Sequence, residues 1–171
     1  MLPSFETEKL LVCPRSITDL EDCLAMDRDP SVTRYIPGPW FDEEMHRAFV
    51  AERMKTAWPD GLGYWSVLNR NKSNKFLGWV LLLPYDAMKD EVEIGWRFTR
   101  NSWGQGYATE AAAVILEHGL RTVGLETIVA DIHPLNSASI RVAEKLGMQF
   151  VEDRFLGNAL AKSYQINCRH D

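Results

Sequence analysis

The sequence predicts an α/β fold of mixed α and β layers, and three features of its patterning lead there. Residues 63–84, "GYWSVLNRNKSNKFLGWVLLLP", are two apolar runs around a polar turn and read as an antiparallel hairpin. Residues 91–98, "EVEIGWRF", alternate strictly: Val92, Ile94, Trp96 and Phe98 on one face, Glu91, Glu93, Gly95 and Arg97 on the other. That is the period of a strand. Beyond it, helical and strand patterns take turns in "YATEAAAVILEHGLRTVG", "ETIVADI" and "SASIRVAEKL", the order of a layered α/β structure.

The remaining elements follow in chain order. "EKLLVCP" reads as a first strand. "SITDLEDCLAM" reads as a helix capped by Ser16 or Thr18, with Leu20 and Leu24 inward. The Pro- and Gly-rich "RDPSVTRYIPGPWF" is a loop around a short turn. "DEEMHRAFVAERMKTA" is a helix with Asp42 as cap and Met45, Phe49 and Ala57 toward the core. After the glycine turn, Ala108, Ala111, Ala112, Ile115, Gly119 and Leu120 make one helical stripe. Gly147 closes the last helix, and "MQFVEDRF" and "AKSYQINC" are closing strands. With no repeat or linker, 171 residues are expected to form one domain, 1–171.

Composition excludes several classes. The chain is 46% hydrophobic and 25% charged, as in ordinary globular proteins. A formal net charge of -5 argues against a nucleic-acid partner, which needs clustered Lys and Arg, and suits a cationic substrate. No window approaches the roughly 18 uninterrupted apolar residues of a membrane span. "MLPSFETEKLL" has acids where a secretory leader would have a basic start and an apolar run, so a cytoplasmic location is expected. Cys13, Cys23 and Cys168 form no C-x-x-C, and His46, His118, His133 and His170 are scattered without H-E-x-x-H; no metal is expected.

The informative stretch is "RNSWGQGYATEA", which runs from a strand into a helix. The first amides of a helix lack internal partners and sit at the positive end of its dipole. Gly104 and Gly106 carry no Cβ to block a ligand and accept positive φ. Such a turn cradles an anion on backbone groups alone. It is not a P-loop, since no Lys follows. It is not a dinucleotide fingerprint either, since Thr109 stands where the third glycine belongs.

"EIGWRFTRNSWGQGYATEA" followed by "HPLNSASIRVAEKLGMQFVED" resembles the GNAT superfamily of N-acetyltransferases. The Rim-type branch, which includes ribosomal-protein N-terminal acetyltransferases, looks nearest, and "TEKLLVCP" and "VTRYIPG" also fit it. The resemblance implies a mostly antiparallel twisted sheet, flanked by helices, with one splayed parallel strand pair that admits acetyl-CoA. The superfamily's Q/R-x-x-G-x-G/A signature falls on Trp103, Gly104, Gln105, Gly106, Tyr107 and Ala108, with Trp103 in place of the usual Gln or Arg. It implies that amides from Gly104 to Thr109 hold the CoA pyrophosphate and that Trp96, Arg97 and Phe98 pair main-chain groups with the pantetheine arm. Asn136 and Ser139 match the second motif, N-x-x-S, near the thioester; both residue types also serve as helix caps.

Acetyl transfer needs a neutral amine, a polarised carbonyl and a proton for the departing thiolate. Glu93 is the first candidate for the base and Glu91 the second, with attraction of a cationic substrate as Glu91's other reading. Many superfamily members carry a Tyr acid downstream of the second-motif Asn, where this chain has Ala143. Ser139, whose hydroxyl can donate to sulfur, is the substitute. Tyr35, Trp40 and Trp65 read either as core or, for "YIPGPWF", as part of the acceptor site. The resulting expectation is direct transfer from acetyl-CoA to a primary amine, either a protein N-terminus or a small molecule, with homodimer formation left open. A CoA-binding sensor or assembly module without catalysis is the competing reading.

Overall fold

The computed structural model describes residues 2–85 and 91–168; His170 lies outside them. Strands β1 (Phe5–Glu6), β2 (Leu10–Pro14), β3 (Gly63–Asn69), β4 (Lys75–Pro84), β5 (Val92–Phe98), β6 (Thr127–Ile132), β7 (Gln149–Leu156) and β8 (Ala159–Asn167) form one sheet. Its order is β1-β2-β3-β4-β5-β6-β8-β7. Every neighbouring pair is antiparallel except β5–β6. The expected first strand is therefore β2, preceded by a two-residue strand.

Helices α4 (Tyr107–Glu117) and α5 (Ser137–Lys145) cover one face of the sheet. Ala111, Ala112 and Ile115 of α4 pack there with Val80, Leu82, Ile94, Phe98, Ile128 and Ala130. The small alanines let the helix lie close to the strands, and α4 runs on through a wide π-type turn to Val123. On the opposite face, α1 (Leu20–Asp27), α2 (Pro30–Thr33) and α3 (Glu43–Lys55) close a second core of Cys23, Leu24, Val50, Tyr64, Trp79 and Leu83. Burial pushes the Cys23 thiol up to about 12. Folded protein should leave it unalkylated by iodoacetamide at neutral pH, which peptide mapping would check.

Local signals explain the helix starts. Ser16, rather than Thr18, accepts from the Thr18 N–H, opening a 3₁₀ turn that leads into α1. Asp29 caps α2 inside the segment expected to be loop, and Asp42 caps α3 through the Met45 N–H at 2.8 Å. The inward face of α3 differs from expectation. Met45 is 60% exposed and Ala57 lies beyond the helix, while His46 and Val50 are buried. The reason is polar: the His46 Nε2 lies 3.2 Å from the Asp27 carboxylate, so a histidine occupies the core position that an apolar period assigns to its neighbour.

Candidate active site

The turn Trp103–Gly106 places its two glycines at φ +74° and +81°. A Cβ on either would meet no protein atom within 4 Å, so the space above the turn is open and only backbone conformation demands glycine. The first helical bond of α4 runs from the Glu110 N–H to the Gly106 carbonyl. The amides of Tyr107, Ala108 and Thr109 precede it and have no acceptor one turn back. Side chains turn away from this cradle. Gln105 donates to the Asn101 carbonyl at 2.8 Å, the Tyr107 ring is buried in the core, and Glu110 accepts from Thr7 and the Lys9 N–H. Beside the turn a cavity of about 190 Å³ is walled by Lys72, Lys75, Asn101 and Gln105. Sequence spacing does not bring Lys72, on the β3–β4 turn, and Lys75, at the start of β4, to the same cavity wall as Gln105; the fold does.

Strands β5 and β6 pair at one position, Glu93 with Val129, and then separate. Each keeps its outer partner, from Val92 to Phe98 against β4 and from Thr127 to Ile132 against β8. The bonds Tyr85 N–H to Glu91 carbonyl and Thr99 N–H to Leu77 carbonyl bracket β5 in an unbroken register, so its odd-numbered residues bond to β4. Main-chain groups of Trp96 and Phe98 therefore face the gap. Those of Arg97, expected there too, belong to the β4 ladder. The Arg97 side chain is also committed, bonded to Asp27 at 2.7 Å and lying over the Trp40 and Trp79 rings. The Phe98 carbonyl is occupied by the Trp103 indole N–H at 2.9 Å, a use for the tryptophan that stands where the superfamily signature has Gln or Arg.

Glu93 lies at the last paired position, on the face away from α4 and α5. Glu91 and, across β6, β8 and β7, Asp131, Ser163, Glu152 and Arg154 share that face by register. Arg154 bonds Glu91 bidentately at 2.7 and 3.3 Å, Glu152 at 3.2 Å and Asp131 at 3.5 Å. The Glu91 bond first of all raises the Arg154 pKa, fixing the guanidinium as a cation. Glu91 is thus neutralised, which weakens its case as base. The Asp131 side chain is 1% exposed. Burial first, then the Asp131 and Glu93 carboxylates, raise the Tyr85 phenol well above its ordinary value and keep it protonated. Asp131, Tyr85 and Arg154 were missed from sequence. Asp131 stands in an apolar strand, a signal that could have found it; the other two carry none.

At the end of β6, Asn136 caps α5 by accepting from the Ser139 N–H at 3.1 Å. The cap uses the Ser139 amide, and its hydroxyl takes no part. Ala143 is fully buried on the inner side of α5. The "YIPGPWF" loop divides: Trp40 is buried against His46 and Phe49, whereas Tyr35 stacks on His133 at 4.8 Å, beside the second motif. Trp65 is core. Among the described residues no group of three or more His, Cys, Asp or Glu is placed to hold a metal ion, and no helix is long and apolar enough to cross a membrane.

Residues 9–149 match the family model of the acetyltransferase (GNAT) domain. The uncharacterized N-acetyltransferase YnaD of Bacillus subtilis (strain 168) is 33% identical over 143 residues, 84% of this chain and 81% of that protein. The acetyltransferase (GNAT family) from Bacillus anthracis has a crystal structure similar at a TM-score of 0.78 and 29% identity, covering 95% of this chain and 96% of that one. The spermidine N-acetyltransferase from Vibrio cholerae, solved with CoA and spermine, shares the fold at a TM-score of 0.76 and 13% identity, over 95% and 97% of the two chains. A splayed strand pair, a glycine cradle at a helix start and a family match over most of the length agree: the chain belongs to the GNAT acetyltransferase family and is an acetyl-CoA-dependent N-acetyltransferase.

Proposed function

We propose that this enzyme acetylates a cationic primary amine that reaches the acid-lined face beside the open β5–β6 pair. One observation carries the reading: Glu91, Glu93, Asp131 and Glu152 share that face with Arg154, leaving it net acidic at the point where the strands part. In this reading the amides of Gly104, Gln105, Gly106, Tyr107, Ala108 and Thr109 hold the CoA pyrophosphate, and the main chain of Trp96 and the Phe98 N–H pair with pantetheine. Glu93 takes the proton of the ammonium; the amine nitrogen bonds the acetyl carbonyl carbon as the carbon–sulfur bond breaks, and Ser139 donates a hydrogen bond to the departing thiolate. The acceptor is a small amine or a protein N-terminus, and the protein works in the cytoplasm as one domain, 1–171. A homodimer joined along the outermost strand β7 would cover its exposed Phe150, Val151 and Phe155; sedimentation tests that. The function test is thiol release from acetyl-CoA against a panel of diamines, polyamines, peptides with free N-termini and neutral hydroxyl compounds. Turnover with cationic amines is expected; CoA binding without turnover on any amine would make the protein a binding module.

Three substitutions test these assignments. Gly106→Val forces a branched residue into positive φ and puts its methyls in the open space of the cradle. CoA affinity should fall tenfold or more, about 1.4 kcal/mol, by calorimetry, with the far-ultraviolet spectrum unchanged. Unchanged affinity in a folded variant removes the cradle assignment. Ser139→Ala keeps the amide that the Asn136 cap uses, so it should lower the transfer rate with little change in melting temperature. Asn136→Ala should instead cost about 1 kcal/mol of stability. Equal melting losses without a rate defect would assign Ser139 to the helix alone.

A further inference from the structure

We propose that Arg15 anchors a second ligand site, apart from the strand gap, that takes a small carboxylate with an apolar body. A cavity of about 210 Å³ lies where the end of α3 meets the start of β3, walled by Arg15, Arg53, Met54, Trp58, Asp60 and Tyr64. Arg15 follows β2 directly. Its N–H donates to the Tyr64 carbonyl at 2.9 Å, and its guanidinium lies 3.6 Å from the Tyr64 ring centre. Burial lowers its pKa, so the protein itself penalises the charge. The Nε and Nη2 atoms are shielded from solvent and have no acceptor. Arg97 and Arg154, whose Nε atoms are likewise unbonded, each hold a carboxylate at 2.7 Å through Nη1, whereas among the described residues no carboxylate lies within ion-pairing distance of Arg15. Asp27 is engaged by Arg97 and His46, and Asp19 by Ser16 and Ser66.

A buried guanidinium without an anion is costly, and an entering anion relieves that cost. The Nε–Nη2 edge presents two parallel N–H groups, the spacing of a carboxylate's oxygens. Because this edge is shielded from solvent, ligand binding requires the Arg15 side chain to turn toward the cavity. Trp58, Met54 and Tyr64 offer contact to an apolar body. Arg53 adds positive charge at the wall, but Asp60 on the same wall opposes a dianion, which favours a carboxylate over phosphate. The Arg15 backbone stands three strand spacings, about 14 Å, from β5, and its guanidinium reaches over β3 to 5.8 Å from the Trp79 ring of β4, short of the strand gap. The carboxylate comes either from a separate molecule or from the far end of an extended acceptor.

The full chain is titrated with 3-methylbutanoate, phenylacetate and inorganic phosphate by calorimetry, while the arginine Nε–H resonances are followed by NMR. Expected are binding of the carboxylates at millimolar concentration or below, weaker phosphate binding, and a shift of one buried arginine Nε–H signal. Arg15→Met and Arg15→Lys should each weaken carboxylate binding tenfold or more and leave CoA affinity unchanged; Lys keeps the charge but not the fork. No carboxylate binding, equal binding by both variants, or tighter binding of phosphate overturns the proposal. If neither variant folds, the wild-type Nε–H signal decides, and its failure to move counts against the site. The source is read from KM: a rise in Arg15→Lys only for amines that carry a carboxylate assigns the site to the acceptor. Carboxylate binding with no KM change assigns it to a separate molecule, and both results support the site.

Discussion

Glu93→Gln is expected to slow acetyl transfer at neutral pH by about 10²-fold or more, with CoA affinity unchanged. The substitution keeps the shape and removes the proton acceptor at the one position where β5 and β6 still pair. An aliphatic amine is mostly protonated at neutral pH, so the enzyme must remove a proton before the nitrogen can attack. As pH rises more of the amine arrives neutral, and the defect should shrink. The alternative, that Glu93 merely attracts the cation, predicts instead a loss that fades with added salt, because screening weakens attraction and affects local proton transfer far less. The pairing of Glu91 with Arg154 makes Glu91→Gln the useful control, with a smaller effect on rate. If Glu93→Gln retains most of the rate at every pH, the base lies elsewhere, and Asp131, buried on the same face, becomes the residue to test.

Asp27→Ala should lower stability by about 3–5 kcal/mol, the largest loss expected from any single substitution outside the apolar cores. Asp27 bonds Arg97 at 2.7 Å and His46 at 3.2 Å; Asp27 and His46 are buried, and the Arg97 side chain is 9% exposed. Its removal strands Arg97 without an anion and leaves His46 without its partner. In a domain of this size each kcal/mol shifts melting by about 2–4 °C, so a fall of roughly 6–20 °C is expected by calorimetry. Replacing the pair together, Asp27→Leu with Arg97→Met, should recover much of the loss, because it removes the uncompensated charge and keeps the volume. A loss below about 1 kcal/mol in Asp27→Ala would mean that solvent reaches the Arg97 guanidinium. The network joins α1 and α3 to β5, the strand whose other edge borders the β5–β6 gap. Activity should therefore be measured well below the melting transition of each variant.

Some features were legible because they depend on local spacing. The period of "EVEIGWRF" put Ile94 and Phe98 in one core and Glu93 and Arg97 on the other face, and the structure has them so. The β3–β4 hairpin, the Asp42 cap and the Gly147 stop also rest on neighbours within a few residues. The glycine turn could be read as a positive-φ helix start before any fold was known, since backbone conformation and unpaired first-turn amides are properties of a short stretch.

The features that sequence could not supply all depend on which strands become neighbours. Placing β8 between β6 and β7 brings Arg154 to Asp131 and, beyond it, to Glu91; no spacing along the chain announces that contact. Met45 was read inward because apolar periodicity cannot register a buried histidine, whose place in the core depends on a carboxylate contributed by another helix. Arg97 was grouped with Trp96 and Phe98 because they are consecutive. Strand pairing then divides consecutive residues, sending Arg97's main chain to β4 and leaving its neighbours' groups at the gap. By itself, then, the sequence determined the elements, the two-faced strand and the positive-φ glycine turn at a helix start, all set by interactions short along the chain. Tertiary structure decided which charges meet, which amides remain unpaired and where the arginines are buried, because desolvation and ion pairing act through space and depend on the assembled sheet.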